Sequence, residues 1–134
     1  MTRDRDLLRA KIPEDIWVAD RLPFAALTRR CRAVIHHGGI GTAGTAAAAG
    51  TPQLVLASGA DRPDNGARVE ALGIGRHHLL ARSTLEDLFD ALTEMEGDEV
   101  RSRCEDAARQ IEEHNAAETG CLAIEDLVAE SRAS

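Results

Sequence analysis

With 134 residues, 43% of them hydrophobic but only 2% aromatic and none tyrosine, the chain can bury one aliphatic, alanine-rich core but cannot form two lobes around a cleft. A formal net charge of −7 argues against a nucleic-acid or anionic-membrane surface, so any bound phosphate must be met locally. Cys31, Cys104 and Cys121 follow no disulfide or metal-ligand spacing, no run approaches the roughly 20 apolar residues of a membrane span, and no signal-peptide order is present, which together read as a cytoplasmic chain with reduced thiols.

Residues 1–14 are charged and interrupted by Pro13, a lead-in to the strand expected at "DIWVAD" (15–20). "LPFAALTRRC" follows as a helix, with Pro23 near its first turn and Phe24, Leu27 and Cys31 at helical spacing. "RAVIHH" reads as a strand running straight into glycines, and "GTAGTAAAAG" as a helix closed by Gly50 before Pro52. "PQLVLA" (52–57) is a continuous apolar run of the kind buried on both faces of a parallel sheet. A helix is expected over 64–73, with Asp64 as its cap and Gly73 as its end. "IGRHHLL" supplies another strand. Ser83 with Glu86 forms a capping box for a helix whose apolar face is Leu85, Leu88, Phe89 and Leu92. Residues 98–134 are helical in composition, punctuated near Gly120. The alternation implies one α/β unit over 1–134, a Rossmann-like parallel sheet with flanking helices.

A strand that ends in glycines and opens a helix is an anion site by physics. The first helical N–H groups lack partners, and the helix dipole places partial positive charge where they point. Gly38, Gly39 and Gly41 remove side chains that would hold an anion away, while Thr42 and His37 add a hydroxyl and an imidazole donor. The letters "GIGTAG" (39–44) also fit a dinucleotide fingerprint, which needs an acid at the end of the next strand. The first acid there, Asp61, lies four residues into a loop beside Arg62, so an NAD-binding module is the weaker alternative.

The stretch "VIHHGGIGTAGTAAAAGTPQLVLASGADRPDNGARVEALGIG" resembles the C-terminal, donor-binding lobe of bacterial natural-product glycosyltransferases of the GT-B fold, the group that decorates macrolides, enediynes and glycopeptides. The resemblance runs from about residue 15 to the C-terminus. It implies an inverting, metal-independent transfer of a sugar from a nucleotide diphosphate to an acceptor hydroxyl, with no cofactor beyond the donor substrate. By that resemblance His37 donates to the diphosphate, Gly39 and Gly41 offer backbone N–H groups, Thr42 offers backbone and hydroxyl, and His36 is a buried orienting residue. Asp61 would accept from sugar hydroxyls, with Asn65 one turn on as a support of that loop or a cap. Thr45 stands where UDP-using relatives often carry a ribose-gripping glutamate, which favours a TDP-deoxysugar. Arg62, the second residue on the donor's sugar side, stands where relatives tend to carry a glutamine. In "DRLP", Arg21 and Leu22 fall where relatives pack an aromatic near the base.

The acceptor lobe of such enzymes and its histidine base have no counterpart in these residues, nor do the first strands of the donor lobe, so the catalytic base is unassigned. His77, His78 and His114 show no acidic partner in the sequence and read as surface or structural. The chain is therefore expected to be a partial donor lobe that binds a nucleotide sugar, pairs with an N-terminal lobe or self-associates, and transfers no sugar alone. The alternative from a different class is a non-catalytic nucleotide-binding or docking module.

Overall fold

The computed structural model describes residues 13–19, 21–114 and 116–133; most of the lead-in, residues 1–12, lies outside them. The chain runs α1 (Phe24–Thr28), β1 (Val34–His36), α2 (Ile40–Ala48), β2 (Gln53–Ala57), α3 (Arg62–Ala71), β3 (Gly75–Leu79), α4 (Leu85–Glu94), α5 (Asp98–Glu113) and α6 (Ala116–Ala133). The three strands form one parallel sheet in the order β1-β2-β3, with His36 opposite Val55 and Val55 opposite His77. Neighbouring residues of a strand face opposite sides of a sheet, and Leu54 and Val55 are both wholly buried, so helices cover both faces. Around them pack Ala43, Val69, Ile74, Ala91, Met95, Val100 and Cys104. Gly75 is dictated by this packing, because a Cβ there would lie 2.0 Å from the Gln53 carbonyl oxygen of the adjacent strand.

Several local expectations are corrected. Residues 16–19 of "DIWVAD" form no strand. Ile16 N–H closes a turn on Pro13 O at 3.0 Å, and Ile16, Trp17 and Val18 are exposed, because no strand among the described residues lies beside them to offer ladder bonds. The α3 cap position belongs to Asp61, with Asp64 inside the first turn beside a proline. The capping box of α4 is Thr84 with Asp87, one residue later than expected, because the Ser83 hydroxyl is already bonded to Leu79 O at 2.9 Å. Thr84 N–H donates to the Asp87 carboxylate at 2.7 Å and Asp87 N–H returns to Thr84 Oγ1 at 3.2 Å; the first bond, with the Thr84 hydroxyl donating to the same carboxylate at 2.8 Å, holds the Asp87 carboxyl below its usual pKa. The buried face of α4 is Leu88, Ala91, Leu92 and Met95, whereas Leu85 and Phe89 are exposed. The break between the last helices falls after Glu113, where His114 N–H and Nδ1 both engage Gln110 O, and Gly120 lies inside α6. A lone glycine costs a helix about 1 kcal/mol but does not end it.

Helix α5 seats Cys104 near Gly50 and Ile74, which lead into β2 and β3. The Cys104 thiol donates to Ile74 O at 3.6 Å, and burial pushes its pKa up to about 11. Labelling with a neutral-pH thiol reagent is accordingly expected to modify exposed Cys121 quickly and Cys104 only on unfolding. Mass mapping of the labelled peptides checks this, and fast labelling of Cys104 in the folded chain would contradict the packing of α5.

Candidate functional site

The glycine turn connects β1 to α2 at the carboxyl edge of the sheet, where open α/β sheets bind their ligands. Gly38 has φ +90°, and a Cβ on it would lie 2.9 Å from both Arg62 O and Val55 Cγ1. The turn is thus pressed between β2 and the start of α3, and only glycine fits. Gly39 precedes α2 in extended conformation, and the first helical bond runs from Ala43 N–H to Gly39 O at 3.0 Å. The N–H groups before it, those of Gly41 and Thr42 included, point out of the first turn. A Cβ on Gly41 would meet nothing within 4 Å among the described residues, so no packing among them requires glycine there. His37 is exposed and its ring lies over the turn, with Nε2 2.6 Å from where a Gly39 Cβ would stand.

Behind the turn runs a chain of polar contacts. His36 is 9% exposed; its Nε2 meets Gln53 Oε1 at 2.9 Å, and its Nδ1 accepts from Gly38 N–H at 3.1 Å. That acceptor role places the imidazole proton on Nε2, donating to Gln53. Burial holds the His36 pKa below its ordinary value; the Gln53 bond opposes this and nearby His37 adds to it. On the other side of Gly38, Asn65 Nδ2 donates to Gly38 O at 3.0 Å and to Asp61 Oδ2 at 2.9 Å. Asn65 is therefore no helix cap. Sequence reasoning missed Gln53 altogether, although a glutamine inside the run "PQLVL" was the signal. It is wholly buried, and its Nε2 has no hydrogen-bond partner among the described residues.

Asp61 is exposed at the end of a loop in which Gly59 and Ala60 are both left-handed, with φ +66° and +51°. Arg62 turns back along the same loop, its Nη1 donating to Ser58 O at 3.1 Å and to Ser58 Oγ at 3.3 Å. Thr45 shares a groove of about 380 Å³ with Gly41, Gly44, Ala25 and Arg29, between α1 and α2. Its hydroxyl donates to Gly41 O at 2.8 Å. Arg21 and Leu22 are exposed and do not line this groove; Arg29, which carried no sequence signal, does. Thr51 Oγ1 donates to Thr28 O at 2.9 Å and ties the end of α1 to the start of β2, fixing one wall of the groove. His77 has an acidic partner after all, Glu70 Oε2 at 2.7 Å across α3 and β3, a pairing hidden by the seven residues between them. Among the described residues no group of three His, Cys, Asp or Glu is disposed to hold a metal, and no helix is long and apolar enough to cross a membrane.

A parallel sheet whose carboxyl edge presents this turn has the architecture of the C-terminal lobe of a GT-B glycosyltransferase. The chain belongs to the family described as erythromycin biosynthesis protein CIII-like, C-terminal domain, whose model matches residues 2–129. It is 40% identical over 103 residues to glycosyltransferase GtfE of Amycolatopsis orientalis, covering 77% of this chain and 25% of that protein. Vancomycin aglycone glucosyltransferase of the same organism is 34% identical over 120 residues, covering 90% of this chain and 30% of that one. Among solved structures, spinosyn rhamnosyltransferase SpnG complexed with thymidine diphosphate superposes with a TM-score of 0.75 at 30% identity, over 87% of this chain and 33% of that one. The chain thus spans between a quarter and a third of the length of these relatives.

Proposed function

We propose that this chain binds the nucleotide sugar in an inverting, metal-independent transfer to a natural-product hydroxyl. The carrying observation is Gly41 at the start of α2, a glycine that faces open space beside unpaired helical N–H groups and the His37 imidazole. In this reading His37, Thr42 and the backbone of Gly39 and Gly41 hold the donor diphosphate. Asp61 accepts from sugar hydroxyls, with Arg62 bracing its loop through Ser58. The Thr45 groove takes the nucleoside, and the absence of a carboxylate there favours a deoxyribose, hence TDP over UDP. Arg21 and Leu22 would approach the base only from outside that groove, whose own lining includes Arg29.

The reaction is a direct displacement. The acceptor oxygen bonds to the anomeric carbon, the carbon–oxygen bond to the diphosphate breaks, and its electron pair stays on the diphosphate. The charge that develops there meets the α2 N-terminus and the His37 donor, which are in place before reaction and need no reorganisation. The acceptor proton passes to a base supplied by the acceptor-binding part of the enzyme, within hydrogen-bond reach of that hydroxyl. Support comes from the family match and from neighbours solved with thymidine diphosphate and with a spinosyn aglycone.

Calorimetric titration with TDP, UDP and NAD tests the reading. TDP is expected to bind more tightly than UDP, and NAD not at all. His37→Ala is expected to weaken TDP roughly tenfold, the loss of one hydrogen bond to a charged group. Binding of NAD without TDP would replace this reading with a dinucleotide module.

A further inference from the structure

Asn65 is only 8% exposed, and its side-chain nitrogen has two hydrogens to give. One goes to Gly38 O at 3.0 Å, 27 residues away in sequence; the other goes to Asp61 Oδ2 at 2.9 Å. The backbone N–H of Asn65 makes an ordinary helical bond to Asp61 O at 3.0 Å, so the side chain has no part in starting α3. The next residue allows no slack, since a Cβ on Gly66 would lie 2.9 Å from His77 Cβ of β3. Asn65 thus stands on a fixed helical turn and holds, with one nitrogen, the backbone of the glycine turn and the carboxylate of the neighbouring loop.

We propose that Asn65 is a positioning residue that sets the distance between the two grips of the donor site, the diphosphate turn at Gly38 and the sugar-facing carboxylate of Asp61. The inference rests on the donor-site reading above. Asp61 is exposed, and a free carboxylate in water samples several rotamers; the bond from Asn65 selects one, so less order must be imposed when the sugar arrives. Because the same nitrogen holds Gly38 O, the selected rotamer is referenced to the turn itself. The contact continues inward through Gly38 N–H to His36 and from His36 to Gln53, so the carboxylate is tied to the centre of the sheet. Few side chains can do this. Aspartate would face a carbonyl and a second carboxylate with no proton to give, and serine offers a single hydrogen on a shorter arm.

The test is a double-mutant cycle read with two probes, TDP and TDP-glucose, titrated into the wild-type chain, Asn65→Ser, Asp61→Ala and the double variant, all shown folded by circular dichroism at the titration temperature. The quantity of interest is the ratio of the two dissociation constants. Asp61→Ala is expected to shift that ratio against TDP-glucose by roughly fivefold to tenfold, Asn65→Ser by a comparable factor, and the double variant by no more than the larger of the two. If Asn65→Ser lowers the melting temperature but leaves the ratio unchanged, Asn65 is merely structural and the proposal fails while the donor-site reading stands. If the wild type binds neither probe, both fail. The unsubstituted chain provides a second measurement. TDP-glucose is expected to move the two side-chain amide proton resonances of Asn65, and TDP alone to move mainly the Gly38 amide. Asn65 resonances indifferent to the sugar would overturn the proposal without any variant.

Discussion

Gly38→Ala is expected to lower stability by about 3 kcal/mol and to abolish TDP binding, the largest effect of any single methyl group added at the site. Two costs add at this position. The φ of +90° lies where L side chains are strained, and the added Cβ would stand 2.9 Å from Arg62 O and from Val55 Cγ1 and 3.2 Å from Arg62 Cβ. Neither neighbour yields easily, because Val55 is a wholly buried residue of the central strand and the Arg62 carbonyl belongs to the first turn of α3. The turn must therefore move, and it cannot move without losing the bond of its N–H to His36 and that of its carbonyl to Asn65. In thermal unfolding the change corresponds to a drop of roughly 10 °C for a chain of this size. Gly41→Ala is the contrasting control. Its Cβ would enter open space, so the melting temperature is expected to hold while TDP binding weakens. Equal loss of stability in the two variants would show that the turn is not seated as described.

The contrast between these two glycines shows what was legible in the sequence. The turn itself was readable because its signal is local: a strand, a glycine cluster and a helix start within a dozen residues. The central strand was readable because a parallel strand covered on both faces must be nearly continuous in apolar residues, and "QLVLA" is. Gln53 was lost inside that same run, since its reason for being there is His36, 17 residues earlier on the neighbouring strand. Asn65 was ambiguous for the same cause: "DN" at a helix start is cap chemistry by local rules, and its actual partner lies across the sheet edge. Periodicity carries no information about such pairings. Local rules also misplace an element when a group is already in use, as the Ser83 hydroxyl is, or when a β-forming run has no described strand beside it, as at Ile16 to Val18.

His36→Ala is expected to cost about 2 to 4 kcal/mol at neutral pH, because it leaves Gln53 Oε1 and Gly38 N–H without their partner in a buried setting where Gln53 Nε2 already has none. The more specific expectation concerns pH. In the folded chain His36 is held neutral: burial disfavours its charged form, His37 beside it adds to that, and a proton on Nδ1 would displace the Gly38 N–H. In the unfolded chain the imidazole titrates near its ordinary value of 6.5. Between that value and the lower folded one, the unfolded state binds more protons, so stability rises with pH across this window. The contribution is fully present above 6.5 and is lost as pH falls toward the folded pKa. Urea unfolding of the wild type and of His36→Ala from about pH 5 to pH 8 separates this group from the other titrating residues, since only His36 differs between the two. The difference in stability between them is expected to shrink steadily on the acid side. Parallel profiles would mean that His36 takes up its proton as readily in the fold as in the unfolded chain, and then its Nδ1 could not be held as the acceptor of the Gly38 N–H.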